Sequence, residues 1–221
     1  MIHAVIFDLD NTLYAYDPLD AEARSRVRDY TCREIGITEE QYDEAYLFGR
    51  SETKRQLNEV GASHNRMLYF QKALEYMGLN PMPHSLRMYE MYWGTFLEKM
   101  TLYDGAREFI DCLHEHGIKV MVCTDLTAHI QHRKLEALGL AQDICCLVTS
   151  EEAGREKPSP DIFALCLKKL DLPPDEVCCI GDSLVKDVEG AKAAGMQAVH
   201  FHPEDASVPQ YQEALQRILR G

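Results

Sequence analysis

Residues 4–12 read AVIFDLDNT: four apolar, strand-forming residues run directly into two aspartates, Asp8 and Asp10, that are one residue apart. Along an extended chain, alternation places Asp8 and Asp10 on the same side. Two like charges held this close repel each other and raise each other's pKa. A fold keeps such a pair mainly where a cation lies between the carboxylates, or where one carboxyl must stay protonated to act as an acid. The stretch therefore indicates chemistry rather than packing.

Composition limits the class of protein. The 221 residues are enough for one large domain or two unequal ones, and 46% hydrophobic with 27% charged residues is ordinary for a soluble globular protein. The formal charge of −13 repels nucleic acid and anionic membrane surfaces. We therefore expect neither a nucleic-acid polymer nor a membrane among the partners, and we expect a monomer or homodimer.

The N-terminus and the cysteines predict the compartment. The first apolar run is short, lacks a basic region before it and is followed at once by aspartates, so we expect neither a signal peptide nor a membrane span. The eight cysteines include two adjacent pairs, Cys145-Cys146 and Cys178-Cys179, but no Cys-x-x-Cys. They indicate buried, reduced thiols in a cytoplasmic protein rather than a disulfide or zinc framework.

After about residue 100, short apolar segments alternate with segments of helical periodicity. Thr127 is expected to cap one of these helices, and a helix is predicted from Lys186 to Ala194. The alternation is typical of a parallel α/β sheet. We therefore predict a doubly wound parallel sheet to which the first strand also belongs.

The stretch from about residue 15 to residue 97 shows helical patterns only, with a capping box at Thr38 and Gln41. We predict an α/β core of residues 1–14 and 98–221, and a smaller all-helical cap of residues 15–97 inserted after the first strand. Open α/β sheets bind ligands at the carboxyl ends of their strands. Because the insertion lies at such an end, the cap is expected to act as a lid.

Four polar signals follow four of the predicted strands, and in a doubly wound sheet these strand ends converge on one crevice. The groups assembled there are carboxylates for a hard cation, a hydroxyl, an ammonium and backbone N–H groups at helix starts. This set is suited to handling a phosphoryl group. The signals are Asp8-Leu9-Asp10-Asn11-Thr12, Thr124, Lys157 with the Pro158-Ser159-Pro160-Asp161 that follows it, and Gly181-Asp182-Ser183 with Asp187.

The order and content of these signals resemble the haloacid dehalogenase-like (HAD) superfamily, specifically its phosphatase branch with a helical cap inserted after the first strand. The resemblance covers essentially the whole chain. Asp-x-Asp-x-Thr alone is a weak signal, whereas four motifs in order, including Glu156-Lys157-Pro158 and Gly-Asp-Ser-x-x-x-Asp, are specific. The resemblance implies a phosphoric monoester hydrolase for a small phosphorylated metabolite such as a sugar phosphate, phosphoglycolate or a nucleotide monophosphate.

The resemblance also implies a role for each motif residue. Asp8 would attack phosphorus and form an aspartyl-phosphate, while Asp10 would protonate the leaving alkoxide and later take a proton from the hydrolytic water. Neighbouring anions would favour the protonated form of Asp10 that the first step needs. Thr124 would hydrogen-bond a phosphoryl oxygen, and Lys157 would neutralise charge on Asp8 and on the transferring group. Asn11 is counted with Thr124 and Lys157 among the substrate-binding residues.

Mg²⁺ is the cofactor that the resemblance implies. Its ligands would be the Asp8 carboxylate, the Asp10 main-chain carbonyl and Asp182, with Asp187 acting through water. Relatives commonly carry Asn where this chain has Asp125. The extra negative charge would weaken phosphate binding unless Asp125 turns away or pairs with a cation, so Asp125 is not among the predicted catalytic residues.

The cap is rich in aromatic residues, which are expected to form the core of a helix bundle rather than a substrate cage. Arg50, Lys54 and Arg66 are the candidates in the cap for contact with a substrate anion. The nine histidines are expected at the surface or at helix ends rather than around a metal.

Three other functions fit parts of the pattern. A phosphomutase of the same family would need the lid to exclude water and re-bind an intermediate. A 2-haloacid dehalogenase needs neither an acid at the second position nor a metal, so Asp10, Asp182 and Asp187 argue against it. A non-catalytic regulator would be free to lose Asp8, Asp10 or Lys157, and all three are present.

Overall fold

The computed structural model describes residues 1–220 and divides into two compact units. The core unit consists of Met1–Tyr16 together with the residues from Thr101 on, and the helical unit consists of Asp17–Met100. Within residues 1–220, every helix is too short or too polar to cross a membrane.

A five-stranded parallel sheet forms the centre of the core unit, which confirms the predicted α/β fold class. The strand order is β3-β2-β1-β4-β5, so β1 lies in the middle and is hydrogen-bonded by β2 on one side and β4 on the other. All four residues of β1 are buried, as expected for a strand covered on both faces. The strands are β1 (Ala4–Phe7), β2 (Lys119–Thr124), β3 (Cys146–Thr149), β4 (Val177–Gly181) and β5 (Gln197–His200).

Helices cover both faces of this sheet. Because successive side chains of a strand point to opposite faces, Ile6 packs in the apolar cluster that contains Phe163, whereas Phe7 meets Phe109 edge-on with ring centroids 5.6 Å apart. The core unit is therefore doubly wound, as predicted. Its helices are α5 (Ala106–Glu115), α6 (Ala128–Ala137), α7 (Ser150–Ala153), α8 (Pro160–Leu170), α9 (Gly190–Ala193) and α10 (Val208–Arg220), with a turn of π type at Leu184–Glu189 and 3₁₀ turns at Pro174–Glu176 and Pro203–Asp205.

The start of α6 differs from the prediction in one respect. Thr127 occupies the N-cap position, but among residues 1–220 its hydroxyl makes no capping hydrogen bond. The Glu151 carboxylate takes this place and accepts a hydrogen bond from the Ala128 N–H at 2.8 Å. A carboxylate supplied by a neighbouring helix satisfies the exposed N–H group at least as well as a hydroxyl does.

The helical unit is a small bundle. The Thr38 capping box is confirmed: the Gln41 N–H donates to Thr38 Oγ1 at 3.3 Å, and the Thr38 N–H donates to Gln41 Oε1 at 2.9 Å. The aromatic core is confirmed for Tyr42, Tyr46, Tyr69, Phe70, Tyr92, Trp93 and Phe96, all of which are buried. Tyr76 is instead 47% exposed. The helices are α1 (Tyr16–Ile35), α2 (Glu39–Gln56), α3 (Arg66–Tyr76) and α4 (Ser85–Glu98), with a 3₁₀ turn at Gly61–His64.

Close packing joins α2 to α3 at Gly49. A Cβ on this residue would lie 2.2 Å from the Tyr69 carbonyl oxygen and 2.9 Å from the Ala73 nitrogen. Both atoms belong to the backbone of α3 and cannot move aside as a side chain could. The two helices can therefore approach this closely only because residue 49 has no side chain.

Candidate active site

The end of β1 places Asp8 at the carboxyl edge of the sheet. The Asp8 N–H donates to the Ile180 carbonyl at 2.8 Å, which extends the pairing with β4 by one residue. Thr12 lies beside it, and its hydroxyl is 3.5 Å from Asp8 Oδ2 and accepts a hydrogen bond from the Asp182 N–H at 3.1 Å. The Tyr211 hydroxyl donates to the Thr12 carbonyl at 2.9 Å. These contacts fix the first motif against the fourth.

Lys157 lies between two of the carboxylates. Its Nζ is 2.6 Å from Asp8 Oδ1, 2.6 Å from Asp187 Oδ1 and 3.1 Å from the Cys123 carbonyl oxygen. Burial by itself would lower the pKa of Lys157, but the charges of Asp187 and Asp8 outweigh it and raise the pKa well above its usual value. The lysine therefore carries its positive charge at neutral pH. The structure brings Asp8 and Lys157 together as the sequence predicts.

Asp8 and Asp182 hold their protons more tightly than isolated aspartates do, because the pKa of each is raised. Burial raises the pKa of Asp8 well above its usual value; Lys157 opposes this, and the charges of Asp187 and Asp10 add to it. Burial and the charge of Asp187 raise the pKa of Asp182 to about 6. Burial is the main cause of both shifts and the neighbouring carboxylates add to it, so a bound cation would favour the ionised carboxylates.

The same cluster provides ligands for a divalent metal. Asp8, Asp182 and Asp187 each offer a carboxylate oxygen, and these oxygens lie within 4.8 Å of one another. The Ser183 N–H donates to Asp187 Oδ2 at 2.9 Å and orients that side chain. Hard oxygen ligands at this spacing suit cations such as Mg²⁺ and Ca²⁺. Three carboxylates against one ammonium leave two negative charges, so the donor set fits a divalent ion.

Asp10 has a partner that the sequence reasoning missed. Lys134 Nζ lies 2.6 Å from Asp10 Oδ1 and 2.9 Å from Oδ2, and the Tyr14 hydroxyl donates to Oδ1 at 2.5 Å. The sequence reasoning counted only anions around Asp10, and the structure adds a fully buried ammonium. In the same turn Asn11 has a positive φ of 60° and its Oδ1 accepts a hydrogen bond from the Tyr16 N–H at 2.8 Å. The predicted substrate contact of Asn11 stays a prediction.

Thr124 ends β2 and is buried at the same edge of the sheet. Gln131 of α6 donates from Nε2 to Thr124 Oγ1 at 2.8 Å and to the Asp125 carbonyl at 2.6 Å. The Thr124 hydroxyl itself lies 3.3 Å from the Asp125 carbonyl oxygen. Gln131 therefore orients a hydroxyl whose predicted partner is a phosphoryl oxygen, and that role of Thr124 also stays a prediction.

Asp125, which stands where relatives commonly carry Asn, pairs with a cation. Its Oδ2 is 2.7 Å from Lys186 Nζ, and its Oδ1 accepts a hydrogen bond from the Lys157 N–H at 3.0 Å. Lys186 also lies 3.1 Å from Glu156. Burial opposes the charge of Lys186, yet the charges of Asp125 and Glu156 raise its pKa above the usual value. The negative charge of Asp125 is thus compensated within the core unit.

The three candidate anion contacts of the cap all belong to the helical unit. Arg50 is exposed and Lys54 is half-buried on α2. Arg66 is buried, with its guanidinium 5.2 Å from the ring centroid of Tyr69 and 5.4 Å from that of Tyr92. These contacts give Arg66 a place in the aromatic core, and substrate binding by Arg50, Lys54 and Arg66 stays a prediction.

Comparison with known proteins shows to which class the sheet and its acidic edge belong. The profile of the haloacid dehalogenase-like hydrolase family matches residues 2–195, and the chain belongs to this family. A solved HAD phosphatase from Thermococcus onnurineus superposes with a TM-score of 0.73 at 26% identity, over 100% of this chain and 99% of that one. A 2-haloacid dehalogenase from Pseudomonas syringae superposes with a TM-score of 0.75 over 98% and 99% of the two chains. At 22% identity that second likeness shows the fold alone.

Two curated relatives indicate which activity this chain has within the family. A ribulose-1,5-bisphosphate 5-phosphatase from Halopiger xanaduensis is 40% identical over 94% of this chain and 87% of its own length. A glyceraldehyde 3-phosphate phosphatase from Methanopyrus kandleri is 34% identical over 91% of this chain and 84% of its own length. The chain is accordingly a phosphatase of the HAD-like family.

Proposed function

We propose that this phosphatase hydrolyses the phosphate ester of a small phosphorylated sugar, that it depends on Mg²⁺, and that it works through an aspartyl-phosphate on Asp8. The observation that carries the proposal is the contact of Asp8 with Lys157 inside the carboxylate cluster. The names of the two relatives support the substrate class, since both act on phosphorylated sugars or sugar-like molecules.

Each residue has a defined task in this proposal. The Asp8 carboxylate attacks phosphorus. The attack brings this carboxylate close to the negatively charged phosphoryl group, and Lys157 offsets the charge of both. Asp10 gives a proton to the departing alkoxide and then takes one from the water that attacks the aspartyl-phosphate. Thr124, oriented by Gln131, donates a hydrogen bond to a phosphoryl oxygen. The helical unit contributes the contacts that distinguish one sugar from another, with Arg50, Lys54 and Arg66 as candidates.

The carboxylates of Asp8, Asp182 and Asp187 would hold the metal ion, together with the main-chain carbonyl of Asp10. When bound, a divalent ion supplies positive charge that lets a phosphate dianion approach the carboxylate cluster. We propose Mg²⁺ because the donors are hard oxygen atoms and because Mg²⁺ is commonly bound by a few carboxylates together with substrate phosphate.

A substrate panel with trapping of the intermediate tests the proposal. Purified protein with Mg²⁺ is given ribulose 1,5-bisphosphate, glyceraldehyde 3-phosphate, phosphoglycolate and a nucleotide monophosphate, and released phosphate is measured. We expect the sugar phosphates to give the highest kcat/KM and chelator to abolish release. Rapid-quench mass spectrometry is expected to find a phosphoryl group on Asp8.

The matched control is Asp8→Asn, which keeps the shape of the side chain and removes the nucleophile. We expect this variant to fold and to lose activity by at least ~10⁴-fold, because it loses the covalent route. Turnover without a divalent metal, or turnover with no adduct on Asp8, would contradict the proposal. Isomerised sugar without free phosphate would instead indicate a phosphomutase.

A further inference from the structure

Two features of the core unit have no task yet in the proposed mechanism. One is Lys134, a lysine on α6 with no exposed surface. The other is the adjacent pair Cys145-Cys146 at the start of β3, whose Sγ atoms are 3.6 Å apart. The two features are independent of each other, and each supports an inference of its own.

A lysine is almost never fully buried unless a partner compensates its charge. Lys134 has that compensation from Asp10, because Nζ lies within 2.9 Å of both carboxylate oxygens. Its Nζ also lies over two aromatic rings, 5.8 Å from the centroid of Tyr14 and 5.3 Å from that of Tyr16. The Tyr14 hydroxyl is a second donor to Asp10 and makes the third contact with its carboxylate. Lysine and tyrosine together hold the carboxylate at both oxygens.

We propose that Lys134 and Tyr14 are positioning residues that fix the orientation of the Asp10 carboxylate for proton exchange. This inference rests on the proposed function, in which Asp10 exchanges a proton first with the leaving alkoxide and then with water. A general acid works only from within hydrogen-bond reach of its target, and small displacements of a reacting group are costly. Loss of either contact would leave Asp10 present but free to rotate away.

A leaving-group comparison separates positioning from a structural role. The sugar phosphate that the panel identifies releases an alkoxide, which needs a proton as it departs. 4-Nitrophenyl phosphate releases 4-nitrophenolate, which is stable as an anion and departs without one. A residue that positions the acid therefore affects the first step with the sugar phosphate far more than with the nitrophenyl ester. A residue that only stabilises the fold affects both alike.

The variants are Lys134→Met, which keeps the length of the side chain without its charge, and Tyr14→Phe, which removes one oxygen. For Lys134→Met we expect kcat on the sugar phosphate to fall by ~10²-fold with KM changed less than about threefold. The nitrophenolate burst should keep its rate within about threefold, and phosphorylated Asp8 should accumulate after it because the hydrolytic water lacks its base. Tyr14→Phe should show the same pattern more weakly, and Lys134→Arg should recover part of the loss.

Lys169→Met is the matched control, since Lys169 is also a paired lysine of the core unit, 2.7 Å from Glu152, but lies outside this site. Equal losses in the rate of the first step with both esters, or wild-type kinetics in Lys134→Met and Tyr14→Phe, would overturn the positioning role. If Lys134→Met does not fold, Tyr14→Phe alone decides, because it leaves the charge pair intact. A wild-type protein that never phosphorylates Asp8 would overturn the proposed function instead, so the two failures are distinguishable.

The second inference concerns the two adjacent cysteine pairs, which differ in their surroundings. Cys178 and Cys179 are buried inside β4. Cys145 is exposed and Cys146 is half-buried. Contact with Cys146 lowers the pKa of the Cys145 thiol to about 7, and Lys119 contributes to the shift. Accessible thiols that ionise readily and lie beside a second thiol are the ones that react with oxidants and disulfides.

We infer that Cys145 is a site of reversible thiol modification by low-molecular-weight disulfides, and that Cys146 is its resolving thiol. The Cys145 thiolate attacks one sulfur of the small disulfide, forms a mixed disulfide and releases one small thiol. Once Cys145 is held in the mixed disulfide, the Cys146 thiol gives its proton to solvent and its sulfur attacks Cys145 Sγ, which releases the second small thiol and closes a Cys145-Cys146 disulfide. Neighbouring Cα atoms are ~3.8 Å apart, closer than most disulfides allow, so the closed bond is strained and easily reduced.

Glutathione disulfide and intact-protein mass spectrometry test this site. We expect the wild-type protein to pass through one glutathionyl adduct to a product that has lost two hydrogens at residues 145–146, and dithiothreitol to reverse it. Cys146→Ser should stop at the stable adduct, and Cys145→Ser should react at least tenfold more slowly. Thiol labelling of Cys145 should rise with pH through about 7. A persistent wild-type adduct, or first reaction at Cys32, Cys112 or Cys178, would overturn the inference.

Discussion

The carboxyl group of Asp187 occupies the space that a side chain on residue 181 would need. A Cβ on Gly181 would lie 2.3 Å from Asp187 Cγ and 2.4 Å from its Oδ2. Because Asp187 is held by Lys157 and by the Ser183 N–H, it cannot move without breaking those contacts. The glycine therefore sets the position of one carboxylate of the metal cluster.

Gly181→Ala should weaken both the site and the fold. We expect a loss of ~1–3 kcal/mol in the free energy of unfolding, as for other overpacked positions, and at least tenfold weaker Mg²⁺ binding. Urea unfolding measures the first and isothermal calorimetry the second. Unchanged Mg²⁺ affinity in a folded variant would show that Asp187 does not depend on this space.

The Asp125–Lys186 pair makes a separate prediction about phosphate affinity. Lys186→Met leaves the Asp125 charge uncompensated next to Lys157, so we expect KM for the phosphate ester to rise by ~3–10-fold with kcat nearly unchanged. Lys186 is partly exposed, which keeps the effect modest. The double variant Asp125→Asn with Lys186→Met removes both charges and should restore KM. Failure of the double variant to restore KM would mean that Lys186 acts through something other than Asp125.

Some residues of the candidate site could be identified from the sequence, and others could not. Asp8, Lys157, Asp182 and Asp187 could be found because their motifs follow strands that end at one edge of the sheet. Lys134 could not be found by motif, although its helical spacing from Gln131 and Leu138 places it on the inward face of α6. A charged residue on that face is ordinarily read as solvated, and only the tertiary contact with Asp10 explains its burial.

Among the elements, the helix pair α2 and α3 depends most on a single position. Gly49→Ala places a methyl group against the backbone of α3, so we expect the free energy of unfolding of the helical unit to fall by ~1–3 kcal/mol. Gly94 provides the matched control, because it lies within α4 with no atom within 4 Å of its would-be Cβ. Gly94→Ala should stabilise by ~0.5–1 kcal/mol through helix propensity. Circular dichroism during urea unfolding compares the two, and equal effects would contradict this account of the packing.

Periodicity in the sequence predicted the positions of helices and strands well. It predicted them less well where a functional site interrupts the periodic pattern. The capping box at Thr38 lies where the capping signal predicts it, and β2 to β5 lie in the part of the chain after residue 100 where apolar and helical segments alternate. The predicted helix from Lys186 to Ala194 is instead a π-type turn at Leu184–Glu189 followed by α9. Wide turns of this type often occur at functional sites, and here the turn carries Asp187. Hydrophobic spacing does not contain that information, because it reports only which face is buried.

At the scale of the whole molecule, metal binding should act on one of the two units. All three carboxylates of the cluster belong to the core unit. Because a ligand that binds only the folded state stabilises it, Mg²⁺ at 100 times its Kd should stabilise the core unit by ~2.7 kcal/mol. Differential scanning calorimetry with and without Mg²⁺ measures the shift. Asp182→Asn should remove the shift, and a shift that survives in this variant would place the metal elsewhere.

Substrate specificity is the property that the sequence leaves open at this scale. Helical spacing identifies which side chains form the interior of the bundle, and the burial of its aromatic residues follows. It does not identify which outward side chains meet a ligand. Arg66 illustrates the difference, since a cation chosen for contact with an anion is buried among aromatic rings of its own unit.

The central position of β1 has a consequence for synthesis on the ribosome. Ala4 pairs with Lys119 on one side and Val177 on the other. The strand before Asp8 is therefore the first strand to be translated but is among the last to acquire both of its neighbours. At about 5–20 residues per second, it waits roughly 9 to 35 seconds for both neighbours. Residues 17–100 are contiguous and leave the exit tunnel well before that. The nascent chain thus carries Asp8 next to an unpaired apolar segment until β4 has been made, which is the longest wait of any strand in the sheet.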